Sequence, residues 1–448
     1  MSNKTKNVES NINSKLVNLL LIAASVIIII SFLVDIRNTL TYPGTDLRNR
    51  VVGARLMLDG IDPYFFKWQP ELSERFYDPL DIPTKILSKL SVPPTVLVLH
   101  SLFAGLPYLQ QKIIWLLVQW AAFISTSLIF IKTSNDKTKT NLILITSFLF
   151  ASSLFWRFHV NSGQIYIVYV FLLSIAWLFL KQRSNIGILL SGLFVGITVS
   201  LRPSFILFFI PFIIGQEYLF ILGGILGTTV SVGISLLVVK TFIWKQYFLT
   251  ILGMTGFIDL KRYSPLKEKI SSNITYPKVV EGFDWSIRNP LEGYLDNTSL
   301  YDVLNALDIP NKRHILVFSF IIAIIFLSLC VWKFHYKNNK IDLFLWGTVT
   351  CLIGEFFIPV GRYSYYDIQM ILPLLIIIDR ANVLDLIYQK NIIILLLGLS
   401  LSIVGFLVVP RAMFFSVFLI MLYIVLITFM LLMNKDKVNA TKLLGKSQ

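Results

Sequence analysis

The sequence predicts an all-α polytopic membrane protein, a bundle of about twelve transmembrane helices with interfacial helices in its outward loops. Three observations predict it. Of 448 residues, 55% are hydrophobic and only 15% are charged, where an ordinary soluble domain carries roughly 25% charged residues. Mean hydropathy is +0.72, and apolar runs long enough to cross roughly 30 Å of hydrocarbon recur along the chain. Lys and Arg gather in a few short connections, the pattern of cytoplasmic loops. The same pattern accounts for the net charge of +15. No basic stripe or RNA-binding motif accompanies that charge, so a nucleic-acid partner is not expected. The two cysteines, Cys330 and Cys351, sit in apolar runs and form neither a disulfide framework nor a zinc spacing.

The apolar candidates run approximately over 16–34, 93–108, 113–131, 141–157, 164–180, 185–201, 203–214, 218–239, 314–332, 342–359, 368–379, 392–409 and 412–433. In lipid these must be helices, because every backbone polar group has to be satisfied internally. The first follows Lys4, Lys6 and Lys15, is too long for a signal-peptide core and lacks a small-residue cleavage site, so it is read as a retained span. Those lysines, the tail lysines 435, 437, 442 and 446, and the basic connections at 132–139, 181–183 and 333–340 belong on the cytoplasmic side. Both termini on one side require an even number of spans. The candidate 93–108, which opens with Pro93-Pro94 and contains His100 and Ser101, is therefore read as re-entrant or incomplete. Three parts follow: an N-terminal transmembrane module, 1–240, with a first loop at 35–91; a loop at 241–312; and a C-terminal transmembrane module, 313–448. Both long loops fall on the extracytoplasmic side. So do the turns at 158–163, at Arg202 and at 360–367, which together could hold a lipid head group at the bilayer edge.

In the first loop, 46–59 reads as a short interfacial helix with Asp46 at its start. A carboxylate there either caps the helix or, near the membrane exit of a span, serves as a general base. Asp59-Gly60 and Asp62-Pro63 are turn formers. Arg157, His159, Asn161 and Gln164 are dense polar groups for one short turn; they mark either the water interface or a site. Arg202, before Pro203, either snorkels to lipid phosphates or binds the phosphate of a lipid-linked substrate. Between Gly361 and Asp367 lie Arg362, Tyr363, Tyr365 and Tyr366. The tyrosines suit an aromatic belt or a sugar platform, and Arg362 and Asp367 could pair with each other. Glu355 stands out as a carboxylate in an apolar run. Asn273-Ile-Thr and Asn297-Thr-Ser are glycosylation sequons by pattern. No P-loop, zinc motif or dinucleotide fingerprint occurs, and neither a metal nor a cofactor is expected.

Taken in order, Asp46-Leu-Arg48 with Ala54-Arg55, Gly60-Ile-Asp62-Pro-Tyr64, Pro93-Pro94, Gly163-Gln164, Gly192-Leu-Phe-Val-Gly196, Leu201-Arg202-Pro203, Asn297-Thr-Ser-Leu300 and Tyr365-Tyr366 to Leu372-Pro373 resemble glycosyltransferase family 87. That family belongs to the integral-membrane GT-C fold and includes polyprenyl-phosphate-mannose-dependent alpha-(1→2) mannosyltransferases. The family usually has Lys where this chain has Arg202, and often a His where this chain is Tyr-rich. The resemblance implies a hexosyltransferase of a GT-C-like bundle in the cell (plasma) membrane, with its active site extracytoplasmic. It would transfer a sugar, mannose foremost, from a polyprenyl-phosphate donor to a glycolipid or glycan acceptor, with inversion and without a metal. Asp46 would be the catalytic base. Arg48, Tyr64, His159, Gln164, Arg202, Asn297, Arg362, Tyr365 and Tyr366 would bind substrate, with Arg202 and either Arg362 or His159 neutralising the departing phosphate. A transporter or flippase of a lipid-linked sugar is the competing reading, and a polysaccharide polymerase or ligase a third. Transporters place charges near the midplane and show internal repeats, whereas here the apolar runs are nearly free of charge apart from Glu355.

Overall fold

A computed structural model describes residues 3–134, 136–254, 258–260, 276–287, 289–290, 297–334, 340–357, 361–380 and 391–444. Asn273 and its sequon lie outside them. The elements are almost all helical: α1 (Asn3–Thr41), α2 (Thr45–Leu58), α3 (Pro94–Ser101), α4 (Tyr108–Thr133), α5 (Lys137–Ser152), α6 (Leu154–Ser162), α7 (Tyr166–Lys181), α8 (Asn185–Leu201), α9 (Ile210–Ile214), α10 (Tyr218–Val238), α11 (Thr241–Met254), α12 (Leu300–Ala306), α13 (Lys312–Phe334), α14 (Lys340–Phe357), α15 (Ile371–Arg380), α16 (Ile392–Ile403) and α17 (Ala412–Leu444). Val279–Val280 (β1) pairs antiparallel with Phe283–Asp284 (β2). Among the described residues, five helices are long and apolar enough to cross a membrane by themselves: Asn18–Thr41 of α1, α4, α10, Lys312–Lys333 of α13 and Ala412–Leu431 of α17.

The remaining apolar runs are broken or short, each for a local reason. The run at 141–157 bends by 58° between α5 and α6. There Ser153 leaves the helix, and its hydroxyl accepts from the Trp156 amide as the N-cap of α6. The run at 203–214 starts as a 3-10 helix over Pro203–Phe209 and becomes α9, with prolines at 203 and 211 removing backbone donors. The segment 93–108 is helical only over α3, whose eight residues reach about 12 Å, too little to cross the hydrocarbon. Residues 241–312 do not begin as a loop: α11 follows α10 almost at once. Its Ile243 and Tyr247 pack on Met57, Tyr64, Phe65, Leu90 and Leu97 in a small core of their own.

Helix α2 is not interfacial. Leu47 to Met57 are all buried, the arginines included, because backbone carbonyls, the Gln164 side chain and one carboxylate accept from the guanidiniums, with only Arg50 Nε left unpaired among the described residues. The tightest packing lies between α8 and α10. A Cβ on Gly196 would come within 2.0 Å of the Gly224 carbonyl oxygen, and one on Gly192 within 2.0 Å of that of Phe220. From the other side, Gly227 would meet the Leu193 carbonyl oxygen at 2.0 Å. Small residues four apart on both helices let the backbones touch, the small-xxx-small device of membrane helices.

Ion pairs gather where α4, α7, α9, α14 and α15 have the ends that carry the basic connections. Lys181 meets Asp379 at 2.7 Å, Arg380 meets Asp342 at 2.8 Å, and Lys340 meets Glu217 at 2.9 Å. Lys139 adds a bond to the Asp379 carbonyl at 2.9 Å. The opposite helix ends, at 41–45, 162–166, 201–203 and 361–364, carry the polar groups described next.

Candidate functional site

The site is assembled on the N-terminus of α2. Gly44, at φ 77°, turns the chain out of α1, and Asp46 follows in the first helical turn. Gly44 is the N-cap residue and no side chain caps the helix, so Asp46 is not a capping residue. Its carboxylate looks outward from the helix: Oδ2 accepts from the Gln164 side-chain amide, and Oδ1 has Asn49 Nδ2 at 3.5 Å. Gln164 is brought there by Gly163, which ends α6 in the left-handed conformation (φ 69°). A Cβ on Gly163 would lie 2.5 Å from the Leu47 Cβ, so only glycine allows this turn to sit against α2. Arg50 closes the arrangement from below, donating to the Gly163 carbonyl at 2.6 Å and to Gln164 Oε1.

Across the site stands a group of tyrosines. Tyr166, at the start of α7, has its ring centroid 4.4 Å from that of Tyr366 and 6.1 Å from that of Tyr365. Burial first, and then the negative charge of Asp46, push the Tyr365 phenol well above its ordinary pKa; the same two causes raise Tyr363. The carboxylate and the tyrosine turn therefore face each other. Arg202 lies over Tyr166 (4.7 Å to the centroid) and Tyr366 (5.0 Å). Its Nη1 donates to the Tyr166 hydroxyl at 2.9 Å and its Nε to Glu355 Oε1 at 2.7 Å. Gln369 Nε2 donates to the other oxygen of Glu355 at 3.1 Å. Arg362 is buried, pairs with Asp367, donates to the Thr298 hydroxyl at 3.2 Å, and has Nη2 3.9 Å from Glu355. Its Nε has no hydrogen-bond partner among the described residues. Asn297 holds this turn in place: its Oδ1 accepts from the Arg362 and Ser299 amides at 3.1 and 3.0 Å.

The structure thus brings Asp46, Gln164, Arg202, Arg362, Tyr365 and Tyr366 together, with Asn297 as a brace. Of the other three candidates, His159 packs against Tyr166 of the site, ring centroids 6.2 Å apart, while Tyr64 and Arg48 lie elsewhere. His159 is fully buried, stacks on Trp156 at 5.8 Å and accepts from the Ile167 amide at 3.2 Å. Tyr64 is fully buried in the smaller core, its hydroxyl donating to the Val92 carbonyl at 2.8 Å. Arg48 has no exposed surface; it donates to the Tyr77 and Glu74 carbonyls and meets Glu281 at 2.7 Å. Arg55 binds the same carboxylate, so Glu281 ties the β1–β2 hairpin to α2. Burial alone would raise the Glu281 pKa, but the hydrogen bonds and charges of Arg55 and Arg48 hold it below the usual carboxylate value. Beside this clamp a cleft of about 340 Å³ is lined by Arg55, Asp59, Arg75, Leu106 and Glu281. Sequence reasoning did not assign Arg50, Tyr166 or Glu281. A signal existed for the first: arginines at 48, 50 and 55 are out of place on a helix otherwise rich in Val, Ala and Leu.

Apolar helices enclosing one polar cluster, with arginines and a carboxylate set around aromatic rings, define a helical membrane protein with a polar candidate site. The chain belongs to glycosyltransferase family 87, whose family model matches residues 92–354. It is therefore a membrane glycosyltransferase. The match includes His159, Gln164, Arg202 and Asn297; Asp46, Glu355 and the tyrosine turn lie outside it. No curated protein and no solved structure is a significant match. Among the described residues, no three His, Cys, Asp or Glu side chains come together as a metal ligand set.

Proposed function

We propose that this glycosyltransferase moves a sugar, mannose foremost, from a polyprenyl-phosphate donor to a hydroxyl of a glycolipid or glycan, with inversion, on the extracytoplasmic face of the plasma membrane. The observation that carries the reading is that Gln164, just before α7, holds Asp46 while Arg202 lies over the rings of Tyr166, at the start of α7, and Tyr366. Asp46 accepts the proton of the acceptor hydroxyl, whose oxygen attacks the anomeric carbon. The bond from that carbon to the donor phosphate breaks, and polyprenyl phosphate leaves with the electron pair. Arg202 and Arg362 stabilise the negative charge growing on it, while the faces of Tyr166 and Tyr366 hold the sugar. A GT-C bundle of about twelve crossings fits this reading, with the broken runs counted as spans. The basic helix ends then face the cytoplasm, as the positive-inside pattern requires, and the site faces away from it.

The test is transfer from several polyprenyl-phosphate sugars by purified wild type and Asp46→Asn, with thermal unfolding as the check on folding. The expected result is a folded variant whose rate falls at least about a hundredfold, the usual scale of a general base. Full activity in Asp46→Asn would remove Asp46 from the chemistry. Movement of intact donor across the bilayer with no new glycosidic bond would replace the transferase reading of the substrate by that of a flippase.

A further inference from the structure

We infer that Arg50 and Gln164 form a positioning pair that fixes the aim of the Asp46 carboxylate, a reading that rests on Asp46 as the base. A side-chain amide has two unlike ends, and what decides which end faces Asp46 is Arg50. A guanidinium has donors only. Arg50 Nη2 therefore requires the oxygen of Gln164, and the amide nitrogen is left facing Asp46 Oδ2. Arg50 is itself held by the Gly163 carbonyl at 2.6 Å and is nearly fully buried. The Gln164 backbone is held too: its carbonyl accepts from Gln119 Nε2 at 2.7 Å and from Trp115 Nε1 at 3.2 Å. Neither end of the relay is free to rotate.

The donor aimed at Oδ2 keeps that oxygen occupied. Oδ1, whose contact with Asn49 is long at 3.5 Å, is left as the oxygen that takes the proton. Gln164 is then a positioning residue for the base instead of a substrate ligand. Arg50 acts one step further back without touching the substrate.

The experiment separates kcat from KM for transfer by the purified full-length enzyme in detergent, with a polyprenyl-phosphate sugar as donor. Gln164→Glu replaces the donor with a second carboxylate at the same place. Gln164→Leu removes the donor without adding charge. Both are expected to lower kcat by about tenfold or more with little change in donor KM. Arg50→Lys, which still presents only donors to Gln164 Oε1, is expected to lose less than either Gln164 variant. A merely structural role for these side chains would lower the amount of folded enzyme and leave kcat per folded molecule in place. An unchanged kcat in a folded Gln164 variant overturns the relay. If Asp46→Asn is inactive while both Gln164 variants keep the wild-type kcat, the base stands and only the relay falls; an active Asp46→Asn removes both.

Discussion

Substituting Ala for Gly196 tests how far the packing of α8 on α10 sets the position of Arg202. The added Cβ would lie 2.0 Å from the Gly224 carbonyl oxygen, which is backbone and cannot swing aside. The two helices must separate by about 1.4 Å at this point to reach the 3.4 Å of an ordinary contact. Even gaps of about 1 Å forfeit a quarter to a half of each dispersion contact they open, and overpacking of this kind costs about 1–3 kcal/mol. Arg202 caps the C-terminal end of α8, a turn and a half beyond Gly196, and its fork holds Glu355 and Tyr166. A shift of about 1 Å at a positioning group can cost on the order of a hundredfold in rate. Gly233 on α10 is the control, because a Cβ there meets nothing within 4 Å. Thermal unfolding in detergent and the transfer rate would be measured for both variants. Gly196→Ala should unfold at lower temperature and transfer more slowly, while Gly233→Ala should match the wild type. Equal stability and equal rate for the two would refute the reasoning.

Two further outcomes are expected. Arg202→Gln should lower kcat/KM at least about a hundredfold, the scale of losing a charge-stabilising donor; Arg202→Lys should lose less, measured with the same donor, because it keeps the cation while giving up the fork. Asp78, in the loop after α2, is buried, and burial first raises its pKa to about 6 against the pull of the Leu80 amide, Lys89 and Arg48. Because the folded pKa lies above the unfolded one, the buried charge costs stability at neutral pH, and the cost fades as pH falls through 6 toward 4. Asp78→Asn should therefore gain about 2–3 kcal/mol over wild type at pH 7.5 but only about 1 kcal/mol at pH 4.5, read from paired thermal unfolding curves; a gain independent of pH would contradict this.

Much of this was legible in the sequence because it is local. Apolar length identified the helices, and Asp59-Gly60 identified a turn that the structure closes with Gly60 at φ 72°. The pairing of Arg362 with Asp367 was visible for the same reason, since five positions separate them. What was hidden depends on partners far along the chain. Helix α2 reads as interfacial because its arginines look unpaired, yet Glu281 lies 233 residues beyond Arg48 and takes two of them into the interior. His159 reads as a ligand by residue type, but the stacking of Trp156 and the Ile167 amide bury it. Arg202 was visible as a cation at the end of an apolar run, and its tie to Glu355 was not, since periodicity carries no information across 153 positions.

The long reach of these ion pairs bears on how the polypeptide is made. Lys181 waits for Asp379, Arg202 for Glu355, and Glu217 for Lys340. While the ribosome is still building the second half, the first half sits in or beside lipid with charges whose counter-ions do not yet exist. A charge without its partner in that environment is expensive. The early helices must therefore linger where water or an insertion factor can shield them, and a chain that stops short of α14 keeps those charges stranded.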